Sequence, residues 1–136
     1  LRIRVEGTAQ PVELHTDKRK VCQILVNLLA NAVKFSDGGD VVLLLRVEGL
    51  DADVRVYLEV TDTGRGIALA DQAHIFDAFW QADPASADTA GSTGLGLSVA
   101  RQLARLLGGD VTVTRTGLGA GSTFVVSLPA RYHAAD

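Results

Sequence analysis

The sequence predicts an α+β fold in which one sheet is covered by helices on one face. Three observations carry this expectation. The stretch from Lys18 to about Ser36 has no Gly or Pro, and Val21, Ile24, Leu25, Leu28, Leu29 and Ala32 recur at helical spacing. Two pairs of β-rich segments, Val41 to Val47 with Val54 to Val60 and Asp110 to Arg115 with Ser122 to Leu128, are joined by glycine-bearing loops. The resulting order, strand, helix, two strands, helix, two strands, is that of a layered sandwich.

Each element follows from its own pattern. Leu1, Ile3 and Val5 alternate with Arg2, Arg4 and Glu6, the period of two expected of a half-buried strand, and Val12 and Leu14 continue in extended style after Pro11. Asp17 reads as the start of the long helix, and Ser36-Asp37-Gly38-Gly39 as its stop. The loop Glu48 to Asp53, with Gly49, suits a hairpin, so the strands on either side should pair antiparallel. A short helix is expected near Leu69 to Phe79. The segment from Leu95 to Leu107 places Leu97, Ala100, Leu103, Ala104 and Leu107 on one face and ends at Gly108-Gly109. Between these helices, Gln81 to Thr93 shows no apolar periodicity, and an irregular stretch of that length inside a domain suggests a functional lid.

Composition narrows the function classes. The 136 residues make one domain, 1–136, and 47% hydrophobic against 21% charged residues is enough to build a core. Thirteen Lys and Arg against 16 Asp and Glu give a net charge of -3, with no basic stripe of the kind that neutralises a nucleic-acid backbone. No apolar run approaches the roughly 20 residues of a membrane span, so neither nucleic-acid binding nor direct membrane insertion is expected. The single cysteine, Cys22, cannot form an internal disulfide and is expected to be a buried core thiol.

Chemistry concentrates in three places. On a helical wheel Lys20, Gln23, Asn27, Asn31 and Lys34 share an arc of about 80° beside the apolar face. Two mid-helix Asn sacrifice helix propensity, and amide oxygens one turn apart can ligate a hard cation such as Mg²⁺, with Lys34 placed to meet a phosphate; a solvated helix face is the plainer alternative. Asp62-Thr63-Gly64-Arg65-Gly66-Ile67 follows a strand, where Asp62 either caps a turn or faces a ligand that glycines let approach. Gly91-Ser92-Thr93-Gly94-Leu95-Gly96-Leu97 opens a helix, whose N-terminal amides suit an anion. It is neither a P-loop nor a dinucleotide fingerprint.

Taken together and in order, these blocks resemble those of the sensor histidine kinases. Asn27-Leu28-Leu29-Ala30-Asn31-Ala32-Val33-Lys34-Phe35-Ser36 resembles their N box, Asp62 to Ile67 the first glycine box, Ile75-Phe76-Asp77-Ala78-Phe79 the F box, and Thr93-Gly94-Leu95-Gly96-Leu97 the second glycine box. Gly121-Ser122-Thr123-Phe124 is similar to the last block of the same domain. The resemblance implies the Bergerat ATP-binding fold, with a mixed, largely antiparallel sheet, and a lid over about residues 80–94. It implies ATP and Mg²⁺ as ligands, with Asn31 the principal metal ligand and Asn27 assisting, Lys34 near the phosphates and Phe35 near adenine. Asp62 would accept the adenine amino group, Gly64, Gly66, Ile67 and Phe79 would line the pocket, and Gly94, Leu95, Gly96 and Leu97 would offer amides to phosphate. Thr123 would support Asp62 from the neighbouring strand.

The same comparison points to a cytoplasmic, bacterial kinase domain that donates a γ-phosphoryl group to a histidine on a separate dimerisation domain of the parent receptor, with a response regulator downstream. The ATP-hydrolysing branches of the superfamily place a Glu four residues before the metal-binding Asn; here that position is Asn27. Neither His15, His74 nor His133 precedes an acidic residue as the family's acceptor does, so the chain is expected to be a fragment that cannot phosphorylate itself. No Lys or Arg lies between Phe79 and Gly94. That departure leaves open an alternative, a degenerate nucleotide-sensing or partner-docking module.

Overall fold

The computed structural model describes residues 2–6, 14–35, 39–49, 53–64, 66–78, 96–116 and 121–131. Five strands, β1 (Arg2–Glu6), β2 (Asp40–Glu48), β3 (Arg55–Asp62), β4 (Asp110–Thr116) and β5 (Ser122–Pro129), form one sheet in the order β1-β2-β3-β5-β4. The pair β1 and β2 is parallel and every other pair antiparallel, which is the mixed, largely antiparallel sheet expected. The helices are α1 (Lys18–Phe35), a single turn α2 (Leu69–Gln72) and α3 (Gly96–Leu106).

Strand alternation decides which face the helices cover. Along β3, Val56, Leu58, Val60 and Asp62 are buried while the residues between them are partly exposed. Their partners on β5 carry the same sense: Leu128 lies opposite Val56, Val126 opposite Leu58, Phe124 opposite Val60 and Ser122 opposite Asp62. Against this face α1 sets Ile24, Leu28 and Ala32, and α3 sets Ala100 and Ala104. The two alanines let α3 approach closely, and α1 packs on β2, β3 and α3 together. Helices and strands thus make the two layers required to bury one side of the sheet.

Local chemistry starts and stops the elements. Asp17 Oδ1 accepts the backbone N–H groups of Arg19 and Lys20 at 3.0 and 3.2 Å, satisfying donors that α1 cannot satisfy itself. Lys20 Nζ binds the other carboxylate oxygen at 2.8 Å, and with these amides it holds the Asp17 carboxyl below its ordinary range. Gly49 turns the β2–β3 hairpin with a φ of 95°, a left-handed backbone that costs glycine little.

Two expectations are corrected. Cys22 is exposed, because the buried stripe of α1 is centred on Ile24, Leu28 and Ala32 and Cys22 lies about 120° from Leu28 around the helix. The helix expected over Leu69 to Phe79 stops at Gln72. Beyond it the chain runs in turns, with His74 N–H donating to Asp71 O and Asp77 N–H to His74 O. Those turns let Ile75 enter the core and Phe76 set its ring edge-on to Phe124, with centroids 6.4 Å apart.

Glycines of opposite kind bracket the sheet. A Cβ at Gly121, whose φ is 75°, would overlap the carbonyl oxygen of Asp62 on the neighbouring strand. At Gly96 a Cβ would meet nothing within 4 Å among the described residues. Gly121→Ala should therefore lower stability by about 2 kcal/mol or more, whereas Gly96→Ala should change it by less than about 1 kcal/mol. Urea denaturation of both variants checks this, and equal losses would contradict it.

Candidate nucleotide site

The carboxylate expected to face a ligand sits at the last residue of β3, and the sheet folds around it. Asp62 is only 3% exposed. Its Oδ1 accepts the N–H of Gly64 at 2.9 Å, so it does close a turn as well as present a buried acid. The loop it starts is anchored at both sides: Thr63 N–H donates to Asp40 O, and Asp40 N–H to Thr63 Oγ1 at 3.0 Å. Gly66 then reverses the chain with a φ of 71°, Ile67 packs its side chain against the core, and Gln72 Nε2 donates to the Ile67 carbonyl at 3.2 Å.

Burial raises the Asp62 carboxyl above its ordinary value of 3.8, while backbone N–H groups of Gly64 and Ser122 pull it back. No cationic side chain is among the causes of that shift. The result is a carboxyl group held by neutral donors, suited to accept a hydrogen bond from a neutral partner such as an aromatic amino group.

The support seen from the neighbouring strand is the Ser122 backbone N–H, one residue before Thr123. Asp62 and Ser122 are register partners, and both side chains turn to the helix-covered face. Thr123 faces the opposite side, where its hydroxyl lies 3.0 Å from that of Thr61. The period of two along a strand accounts for the shift: with Phe124 in the core, Ser122 must share its face and Thr123 must not. That alternation is present in the sequence and identifies Ser122 once Phe124 is placed inside.

The polar stripe of α1 is present beside its buried face and meets α3 at Asn27. Asn27 and Asn31 are half-buried, and Lys34 is half-buried in the last turn, where a cation suits the helix C-terminus. Asn27 Nδ2 donates to the carbonyl of Gly96, the first residue of α3, at 3.2 Å, and Gln23 Nε2 donates to Asn27 Oδ1 at 2.7 Å. The second glycine block is thereby tied at its helical end to the paired-Asn helix. Leu97 packs against the core and Gly96 is open. Phe35 ends α1, its side chain outside the described residues; Phe79, Gly94, Leu95 and the expected lid over residues 80–94 also lie outside them.

The residues present fit the groups that the sequence comparison implies. Two neutral amide side chains one turn apart are donors of the type Mg²⁺ accepts. Gly96 is exposed and a Cβ there would meet nothing within 4 Å among the described residues, so its backbone is open to approach. Among the described residues no group of three His, Cys, Asp or Glu side chains forms an alternative metal centre.

Fold and site together define a nucleotide-binding α+β domain with a buried acid on its central sheet. Residues 16–132 match the family described as "Histidine kinase-, DNA gyrase B-, and HSP90-like ATPase", and the chain belongs to that family. It is 36% identical over 119 residues to hybrid signal transduction histidine kinase F of Dictyostelium discoideum, covering 87% of this chain and 11% of that protein. It is 39% identical over 132 residues to the aerobic respiration control sensor protein ArcB of Escherichia coli, covering 96% and 16%. Among solved structures, full-length ShkA in complex with AMPPNP superposes with a TM-score of 0.74 at 35% identity, covering 98% of this chain and 27% of that one. The chain thus spans a small part of each relative. Among the described residues no helix is long and apolar enough to cross a membrane.

The burial of Asp62 sets a pH signature. Because its pKa is higher folded than unfolded, the folded state holds more protons just above pH 3.8, so this group's contribution to stability falls as pH rises through that window. The stability of Asp62→Asn relative to the wild type should rise with pH above about 4 and then level off. Urea midpoints measured across that range check the slope, and parallel curves for the two proteins would contradict it.

Proposed function

We propose that this domain binds Mg·ATP and presents the γ-phosphoryl group to a histidine on a separate dimerisation domain of the parent kinase, in a cytoplasmic two-component pathway that passes to a response regulator. The single observation that carries the proposal is the buried Asp62, held by neutral donors on the sheet face that α1 covers with Ile24, Leu28 and Ala32. The AMPPNP complex of ShkA supports ATP as the ligand.

The roles follow from what each group can do. Asp62 accepts the adenine 6-amino group; guanine, with a carbonyl there, would face it acceptor to acceptor. Gly64 and Gly66 let the base lie close to the backbone, and Ile67 and Phe79 give it apolar walls, with Phe35 near its edge. The Ser122 backbone N–H backs Asp62 across the β3–β5 pair, and Thr123 supports the site by tying β5 to Thr61 of β3. Asn31, with Asn27 assisting, holds Mg²⁺, which supplies charge neutralisation at the phosphate oxygens. Lys34 contributes a further positive charge, and Gly94, Leu95, Gly96 and Leu97 direct amides to phosphate at the start of α3. With Asn27 where hydrolysing relatives are expected to carry a Glu, no side chain at that position activates water, so the phosphoryl group is kept for the acceptor domain.

Asn31→Ala should abolish Mg²⁺-dependent nucleotide binding with little loss of fold, since its amide is polar and at the margin of the core. Calorimetry with Mg·AMPPNP checks the binding, and restoring the helical acceptor domain in one chain checks transfer by appearance of acid-labile phosphohistidine. Unchanged affinity in Asn31→Ala would remove the metal assignment. Tight nucleotide binding without transfer would favour the docking-module alternative.

A further inference from the structure

We infer that Asn27 is a positioning residue that fixes the start of α3, and that Gln23 sets the direction in which its amide faces. The chain of donors has one member whose polarity cannot reverse. Gly96 offers a carbonyl, which only accepts, so the atom of Asn27 that meets it must be Nδ2. Oδ1 then faces Gln23, which must in turn present Nε2, the 2.7 Å partner. Both amides are thus oriented by a backbone group 69 residues beyond Asn27 in sequence.

This arrangement has a consequence for both ends. Gly96 is the first residue of α3, and the helical i→i−4 pattern gives its carbonyl the amide of Ala100. A second donor at the same oxygen holds the first turn, whose Gly96 and Leu97 amides the proposed reading turns toward phosphate. At the other end, Oδ1 keeps one lone pair after accepting from Gln23, and it is the oxygen, the only atom of the amide able to ligate a cation, that faces away from Gly96. Register between the paired-Asn helix and the phosphate-facing turn is therefore a property of the Gln23, Asn27 and Gly96 chain. The inference rests on the proposed nucleotide reading for its purpose, but the tie itself belongs to the protein without ligand.

Substitution by a carboxylate separates positioning from ligation. A carboxylate is at least as good a Mg²⁺ ligand as an amide, yet it has no N–H to give Gly96. In Asn27→Asp, measured without nucleotide, hydrogen exchange at the Ala100 amide should quicken roughly tenfold relative to the Val56 and Val60 amides of the core, and Mg·AMPPNP affinity should fall by about tenfold. Affinity at or above wild type with Ala100 protection unchanged would overturn the inference. If exchange quickens equally at Val56 and Val60, the fold itself has loosened and Gln23→Glu decides. There the new carboxylate draws Asn27 Nδ2 to itself and off Gly96, so faster exchange at Ala100 alone supports the tie and wild-type exchange overturns it. A wild-type chain that binds no nucleotide would sink the proposed function, while the exchange comparison would still judge the tie.

Discussion

The burial of one carboxyl group at the end of β3 is the constraint on which the rest of this structure depends. A buried Asp must have its oxygens satisfied, and here the donors are backbone groups rather than cations. That choice demands a tight turn into Gly64 and a neighbouring strand close enough for Ser122 to reach. The second demand explains Gly121, where any side chain would collide with the Asp62 carbonyl and prise β3 from β5. Burial costs this acid some stability and leaves it where a neutral donor could meet it, the pattern that marks a candidate binding site.

The helices serve the same site by dividing their surfaces. The buried stripe of α1 holds the sheet, its polar stripe faces the seam with α3, and the remaining side carries Cys22 and Val26 to the outside. The seam is narrow because Ala100 and Ala104 face it, and it is polar at the end where α3 begins, because Asn27 reaches Gly96 there. A further cluster steadies the turn segment after α2. Arg101 lies over the Phe76 ring at 4.5 Å and its Nε donates to Asp110 at 3.0 Å, linking that segment to α3 and to β4.

Most of this architecture was legible in the residues. Period-two alternation in β3 and β5 and the glycine-free run of α1 located the sheet, the helix and the loops between them, and the spacing of the polar blocks pointed to their convergence. What was not legible arose from contacts between distant segments. The helical pattern after Leu69 could not reveal that Ile75 and Phe76 would be drawn into the core and break the helix, and Cys22 lies within an apolar helical run yet turns outward, about 120° from Leu28. Alternation from Phe124 places Ser122 on the face of Asp62 and Thr123 on the opposite one. The bond from Asn27 to Gly96 spans elements that only the folded chain brings together.

The central claim, that Asp62 reads the amino group of adenine, is tested most directly by comparing Mg·ATP with Mg·ITP, which differs by a carbonyl in place of that amino group. Calorimetric titration of the wild-type chain should show ATP binding more tightly by roughly tenfold or more, the difference expected when a charge-assisted bond is replaced by two opposed acceptors. Equal affinities for the two nucleotides would contradict the account.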